Sequence, residues 1–172
     1  MSPGSNVEVK LRCADLERAR ERALALGARP AGVEHQVDTY FCTRSGRLKL
    51  RERHPAPAEL IAYLRPDTPG ARRSDYQLVV VPDPAGLRGL LAELLGVHTR
   101  VAKRREILLF ENVRIHLDRV DGLGDFLELE AVFDGSAAAE RIQYAKVDRL
   151  LEKLELAGAA RIATSYEALS LG

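Results

Sequence analysis

The sequence predicts an α+β protein: an eight-stranded antiparallel β-barrel or tunnel with helices packed outside. Three observations carry this expectation. Eight segments alternate polar and apolar side chains with the period of two of a half-buried strand. Helical periodicity follows the first, fifth and eighth of them, so the helices cover only part of the sheet. The polar strand faces carry more charge than solubility alone requires, which a sheet closed around one small ligand explains. A flat sheet with a solvated charged face is the alternative.

Taken in order, Asn6, Glu8, Lys10 and Arg12 alternate with Val7, Val9 and Leu11 in the first strand. Asp15 caps a helix marked by Leu16, Ala19, Ala23 and Leu26, and Gly27 ends it. Val37 to Cys42, with Asp38-Thr39-Tyr40-Phe41, is rich in β-formers and reads as a short strand before the Ser45-Gly46 turn. The next strand places Arg47, Lys49, Arg51 and Arg53 on one face and Leu48 and Leu50 on the other. Four like charges on one strand face repel, so this strand calls for anions opposite. Glu59 to Arg65 follows, with Leu60, Ala62 and Leu64 on one side and Ile61, Tyr63 and Arg65 on the other.

Pro66 to Ser74 reads as a turn-rich link, whose Arg72 and Arg73 are either solvated or able to reach over a ligand. Asp75 to Val81 is the fifth strand. Pro82-Asp83-Pro84 stops it, and the helix that follows runs through Leu95 to Gly96. Val101 to Phe110 carries Lys103 and Arg105 on one face. The hairpin Val113 to Phe133 then places Arg114, His116 and Asp118 on one arm and Glu128 and Glu130 on the other. Between the arms Asp121-Gly122-Leu123-Gly124-Asp125 favours reversal. A third helix is expected from Ala137 to Leu156, buried through Ile142, Val147, Leu150, Leu151 and Leu154, with a short helical turn over Thr164 to Leu171.

No repeat or linker divides the chain, so residues 1–172 are expected to form a single domain. Lys+Arg 26 against Asp+Glu 25 leaves a net charge of +1, which implies no general attraction to nucleic acid or to an anionic membrane. No apolar run reaches the ~18 residues of a membrane span, and the first five residues lack the pattern of a secretory signal. A cytoplasmic location is expected. Cys13 and Cys42 form no CxxC element and read as packing residues; His35, His54, His98 and His116 lack metal-ligand spacing. His116 alone shares a face with candidate site residues, and a hydrogen-bonded structural role is expected of it.

If the sheet closes, Glu8, Lys10, Arg12, Lys49, Arg51, Arg53, Arg65, Lys103, Arg105, Arg114, Asp118, Glu128 and Glu130 face one interior. Cations so crowded are costly when no anion is bound. A polyphosphate with a divalent metal resolves the conflict: Lys and Arg take the phosphate oxygens, and the carboxylates hold the metal.

These residues resemble the CYTH superfamily, the triphosphate tunnel metalloenzymes, along nearly the whole chain. The resemblance rests on Asn6-Val7-Glu8-Val9-Lys10, Asp38-Thr39-Tyr40-Phe41, Leu48-Lys49-Leu50-Arg51-Glu52-Arg53, Lys103 with Arg105, Asp118, Gly122-Leu123-Gly124-Asp125-Phe126-Leu127-Glu128-Leu129-Glu130 and Ser165-Tyr166. It implies a single CYTH domain binding a small-molecule triphosphate with Mg²⁺ or Mn²⁺. Of the family's ExExK signature, Glu8 and Lys10 match the second Glu and the Lys; Asn6 stands at the first Glu and offers only a neutral oxygen. By the same matching, Glu8, Glu128 and Glu130 look like metal ligands. Asp118 looks like a metal ligand or the orienter of a basic neighbour. Lys10, Lys49, Arg51, Arg53, Arg65, Lys103, Arg105 and Arg114 look like phosphate ligands, and Lys10, Asp118 and Arg114 like the catalytic set.

The Gly-Leu-Gly-Asp-Phe hairpin is most similar to the class IV adenylate cyclase branch, which converts ATP to cyclic AMP and pyrophosphate. A triphosphatase acting on inorganic, thiamine or nucleoside triphosphate is the alternative, and a non-catalytic polyphosphate-binding module the second. Some relatives act on RNA 5′ triphosphates, but with near-neutral net charge a nucleic-acid partner is not expected. Neither is a membrane. A monomer or homodimer is expected.

Overall fold

The computed structural model describes residues 2–63, 72–134 and 136–171. Arg65 and residues 66–71 of the expected link lie outside the described residues, as do the side chains of Arg72 and Arg73. The strands are β1 (Ser2–Arg12), β2 (Arg29–Phe41), β3 (Arg47–His54), β4 (Ala58–Tyr63), β5 (Arg72–Val81), β6 (Val97–Phe110), β7 (Val113–Val120) and β8 (Gly124–Phe133). The helices are α1 (Leu16–Ala25), α2 (Pro84–Leu95), α3 (Ala137–Lys153) and α4 (Tyr166–Leu169). The strands close a barrel in the order β1-β5-β4-β3-β2-β6-β7-β8, all neighbours antiparallel. β1 makes the closure: its residues 2–8 pair with β5 and its residues 5–12 with β8.

Alternation sends one side chain of each pair inward and the next outward. The outward set of β1, β7 and β8 (Val7, Val9, Leu11, Ile115, Leu117, Leu127 and Leu129) packs under Leu16, Ala19 and Ala23 of α1 and Val147, Leu150, Leu151 and Leu154 near α3. Full burial of each Leu or Val there contributes about 1.5–3 kcal/mol. A smaller cluster, Phe41, Leu50, Ala58 and Val81, packs against Leu87 and Leu91 of α2. The caps are local: Asp15, Asp83, Ser136 and Ser165 each accept an N–H from the first turn of the helix that follows.

Several expectations need correction. Ile142 is 61% exposed, because five residues before Val147 is a different face at 3.6 residues per turn. Cys42 is exposed just beyond β2, whereas Cys13 is buried as expected. β2 begins at Arg29, well before Val37, and its ladder with β6 shifts register between Pro30 and Gly32. β5 and β6 likewise start earlier than expected, at Arg72 and Val97, and α3 stops at Lys153. Among the described residues no helix is long and apolar enough to cross a membrane.

Candidate active site in the tunnel

The inward residues meet across strands as charge pairs. β2 sets Asp38 opposite Arg51 of β3; β6 sets Arg105 opposite Asp118 of β7; β8 sets Glu128 opposite both Lys10 of β1 and His116 of β7, and Glu130 opposite Glu8 and Arg114. Two carboxylates anchor the cations. Asp38, 1% exposed, accepts Lys49 Nζ at 3.0 Å and Arg51 through Nε at 2.7 Å and Nη2 at 2.8 Å, and Lys103 Nζ lies 3.6 Å away. Asp118 accepts Arg105 through Nε and Nη2, both at 2.6 Å, and the Tyr166 hydroxyl at 2.8 Å. Arg105 also donates to Glu128 at 2.7 Å, and Lys10 Nζ stands 3.7 Å from the other Glu128 oxygen.

These contacts set the protonation states. Burial alone would raise the Asp38 carboxyl, but Arg51, Lys49 and Lys103 hold it well below the usual range. Burial likewise opposes ionised Asp118, and the Arg105 guanidinium brings it down to about 2. Glu128 stays well below its ordinary value despite burial, chiefly because Lys10 and Arg105 stand beside it. Lys49 moves the other way: burial, then repulsion from Arg51, pushes it down to about 8. Lys103 is also lowered, by burial and by Arg105.

The interior divides into two chambers. The inner one, about 60 Å³, is lined by Glu8, Lys10, Arg47, Lys49, Arg51, Lys103, Arg105, Glu128 and Glu130, and by Tyr40, Tyr63, Ser165 and Tyr166. α4 closes this end. The Tyr166 ring packs edge-on against Phe126, with Lys10 Nζ at 4.1 Å and Lys103 Nζ at 4.9 Å from its centroid. The outer chamber, about 410 Å³, adds Asn6, Glu34, Arg53, Glu59, Arg114 and His116 and an apolar wall of Ile61, Tyr76, Leu78, Ile107 and Leu109. Glu8, Arg51, Tyr63, Arg105 and Glu130 border both.

The structure thus brings Glu8, Lys10, Lys49, Arg51, Lys103, Arg105, Glu128 and Glu130 around the inner chamber and Arg53 and Arg114 into the outer one. Asp118 sits behind Arg105 with both oxygens engaged. Sequence reasoning named neither Asp38 nor Tyr166 as site residues. The inward alternation Glu34, Gln36, Asp38, Tyr40 on β2 is the signal that would have found Asp38. Tyr166 follows a change of chain direction and has no periodic signal.

The fit to a divalent cation rests on one cluster. Ligand atoms of His116, Glu128 and Glu130 lie within 4.8 Å of one another, and the buried Nδ1 of His116 has no hydrogen-bond partner. Carboxylate oxygens with an imidazole nitrogen form a donor set suited to a divalent metal.

A closed antiparallel tunnel lined by paired cations and carboxylates has the lining that suits a small, highly charged anion. The chain belongs to the CYTH family, whose domain matches residues 5–166. Members of that family are triphosphate tunnel enzymes and depend on metal. Among solved structures, the PH1012 protein of Pyrococcus horikoshii is 28% identical with a TM-score of 0.81, covering 95% of this chain and 98% of its own. A candidate adenylate cyclase of Vibrio parahaemolyticus is 20% identical with a TM-score of 0.81, covering 97% and 98%. A Hippeastrum protein described as a candidate adenylyl cyclase with a dominant triphosphatase activity is 16% identical with a TM-score of 0.68, covering 96% and 94%. The last two likenesses are likenesses of fold. Among curated protein sequences none gives a significant match.

Proposed function

We propose that this protein is a divalent-metal-dependent enzyme acting on a nucleoside triphosphate in the tunnel, with adenylate cyclase-like chemistry. One observation carries the reading: the cluster of His116, Glu128 and Glu130 lies between a small cationic chamber and a larger one with an apolar wall. The two terminal phosphates suit the inner chamber, where Lys49, Arg51, Lys103 and Arg105 converge. The base and ribose suit the outer one. The phosphorus next to the metal cluster is then the one bonded to the nucleoside.

In this reading, the ribose 3′-oxygen attacks the α-phosphorus as its proton passes to water, the bond from that phosphorus to the bridging oxygen breaks, and pyrophosphate leaves with the electron pair. Lys49, Arg51, Lys103 and Arg105 bind the departing pyrophosphate and stabilise its developing charge. Asp38 and Asp118 fix those cations before substrate arrives, so little reorganisation is needed during reaction. Arg114, 48% exposed in its side chain and 3.8 Å from Glu130, is placed to approach the α-phosphate from the outer chamber. Lys10, over the Tyr166 ring and beside Glu128, balances the carboxylates of β8. Glu8, Glu128, Glu130 and His116 are the side chains that would hold Mg²⁺ or Mn²⁺. A bound cation there supplies Lewis-acid polarisation of the attacking and phosphoryl oxygens.

Hydrolysis is the second reading, favoured by the described activity of the Hippeastrum protein. Phosphorus NMR of the purified protein with ATP, thiamine triphosphate or inorganic triphosphate, each with Mg²⁺ or Mn²⁺ and a chelator control, separates the two. Cyclic AMP and pyrophosphate formed only with metal support the cyclase. Orthophosphate release overturns it in favour of a triphosphatase, and absence of turnover sinks both.

A further inference from the structure

Most polar groups in the tunnel have partners, and the exceptions gather in the outer chamber. Its lining residues Asn6, Gln36 and His116 each carry a buried side-chain atom, Oδ1, Oε1 and Nδ1 respectively, that makes no hydrogen bond. A buried polar atom left unpaired carries its desolvation penalty without compensation. His116 is 4% exposed, and its Nδ1 faces Glu128 Oε2 at 3.6 Å and Glu130 Oε1 at 3.8 Å, both too long for hydrogen bonds. Neighbouring ligands on one small cation with bonds near 2.1 Å stand about 3.0–3.4 Å apart. The distances from His116 are wider than that, and the three ligand atoms lie within 4.8 Å of one another, so the side chains would draw together on a bound cation.

The charges around these carboxylates bear on which cation fits. Glu128 is already drawn on by Arg105 at 2.7 Å and Lys10 at 3.7 Å, and Glu130 by Arg114 at 3.8 Å. That competition weakens the purely electrostatic attraction on which a hard cation such as Mg²⁺ depends. A neutral imidazole adds a donor without adding charge, and its nitrogen favours first-row transition metals over Mg²⁺.

We propose that His116 is a nitrogen ligand of the divalent cation held with Glu128 and Glu130, and that it makes this protein select Mn²⁺ over Mg²⁺. The inference rests on the proposed metal site but is tested apart from turnover. Electron spin-echo modulation of Mn²⁺ added to the nucleotide-free wild-type protein should show coupling to an imidazole nitrogen. Calorimetry should show that His116→Gln weakens Mn²⁺ binding at least about tenfold while Mg²⁺ changes less than about threefold, and that His116→Asp shifts the preference toward Mg²⁺. Bound Mn²⁺ without nitrogen coupling, an unchanged metal preference in His116→Gln, or no Mn²⁺ binding at all overturns the assignment. If the variants fail to fold, the wild-type spin-echo result decides alone. Metal-dependent turnover without nitrogen coupling would refute His116 as a ligand and leave the proposed function standing. Nitrogen coupling without turnover would do the reverse.

Discussion

The two chambers of the tunnel solve the same electrostatic problem in opposite ways. In the inner one, Lys49, Arg51 and Lys103 lean on Asp38, and Arg105 leans on Asp118, so the cations are held in place before any anion arrives. In the outer one, Asn6 Oδ1, Gln36 Oε1 and His116 Nδ1 make no hydrogen bonds within the protein. The inner region is organised as the proposed phosphate site requires, with its cations already positioned. The outer region keeps its polar atoms for what binds there. A folded protein tolerates either arrangement only because the apolar faces of β1, β7 and β8 are covered by α1 and α3, away from the charges.

The strongest way to break the contrast is Asp38→Asn. It leaves Lys49, Arg51 and Lys103 buried without their counter-charge and should cost about 3–5 kcal/mol, read by denaturant unfolding. Inorganic triphosphate should recover much of that loss by supplying the missing anion. Next comes Glu128→Gln, which removes a candidate metal ligand and a partner of Arg105. Metal-dependent turnover should fall at least about 100-fold, while metal-free binding of inorganic triphosphate, followed by calorimetry, should persist.

A pH series sharpens the comparison with a smaller effect. Lys49 is lowered to about 8, by burial first and then by Arg51, from an ordinary 10.5. Between those values the unfolded chain holds this proton and the folded protein does not, so Lys49 makes stability rise with pH across the window. Triphosphate binding has the opposite sign, because it needs the charged lysine: affinity at pH 9 should be about tenfold weaker than at pH 7. Lys49→Arg should flatten that dependence. The smallest expected effect is Tyr166→Phe, which removes only the hydroxyl donated to Asp118 and should cost about 1 kcal/mol in thermal unfolding, with the tunnel end still closed.

How much of this was legible in the sequence follows the same division. Regular alternation gave away the inward cations: the faces of Arg47-Lys49-Arg51-Arg53 and of Lys103-Arg105 are tunnel-facing as read, and Asp15 and Gly96 mark helix ends where expected. What alternation cannot report is which inward groups find each other. Asp38 lies 11 residues from Lys49 but also touches Lys103 of β6 on its other side, a relation set by the β2–β6 pairing between strands far apart in sequence. The long N-terminal half of β2 was hidden because Pro30 and Gly32 argue against a strand, and the structure accommodates them with a register shift in the ladder with β6. His116 was visible on the right face, yet the absence of a partner for Nδ1 is a property of packing alone.

The central claim is the orientation of the ligand, with terminal phosphates inward and nucleoside outward. A crystal structure with a non-hydrolysable ATP analogue and Mn²⁺ tests it most directly. The β- and γ-phosphates are expected against Lys49, Arg51, Lys103 and Arg105, with the base against Ile61, Tyr76 and Leu78. An analogue bound the other way round, or outside the tunnel, would contradict it.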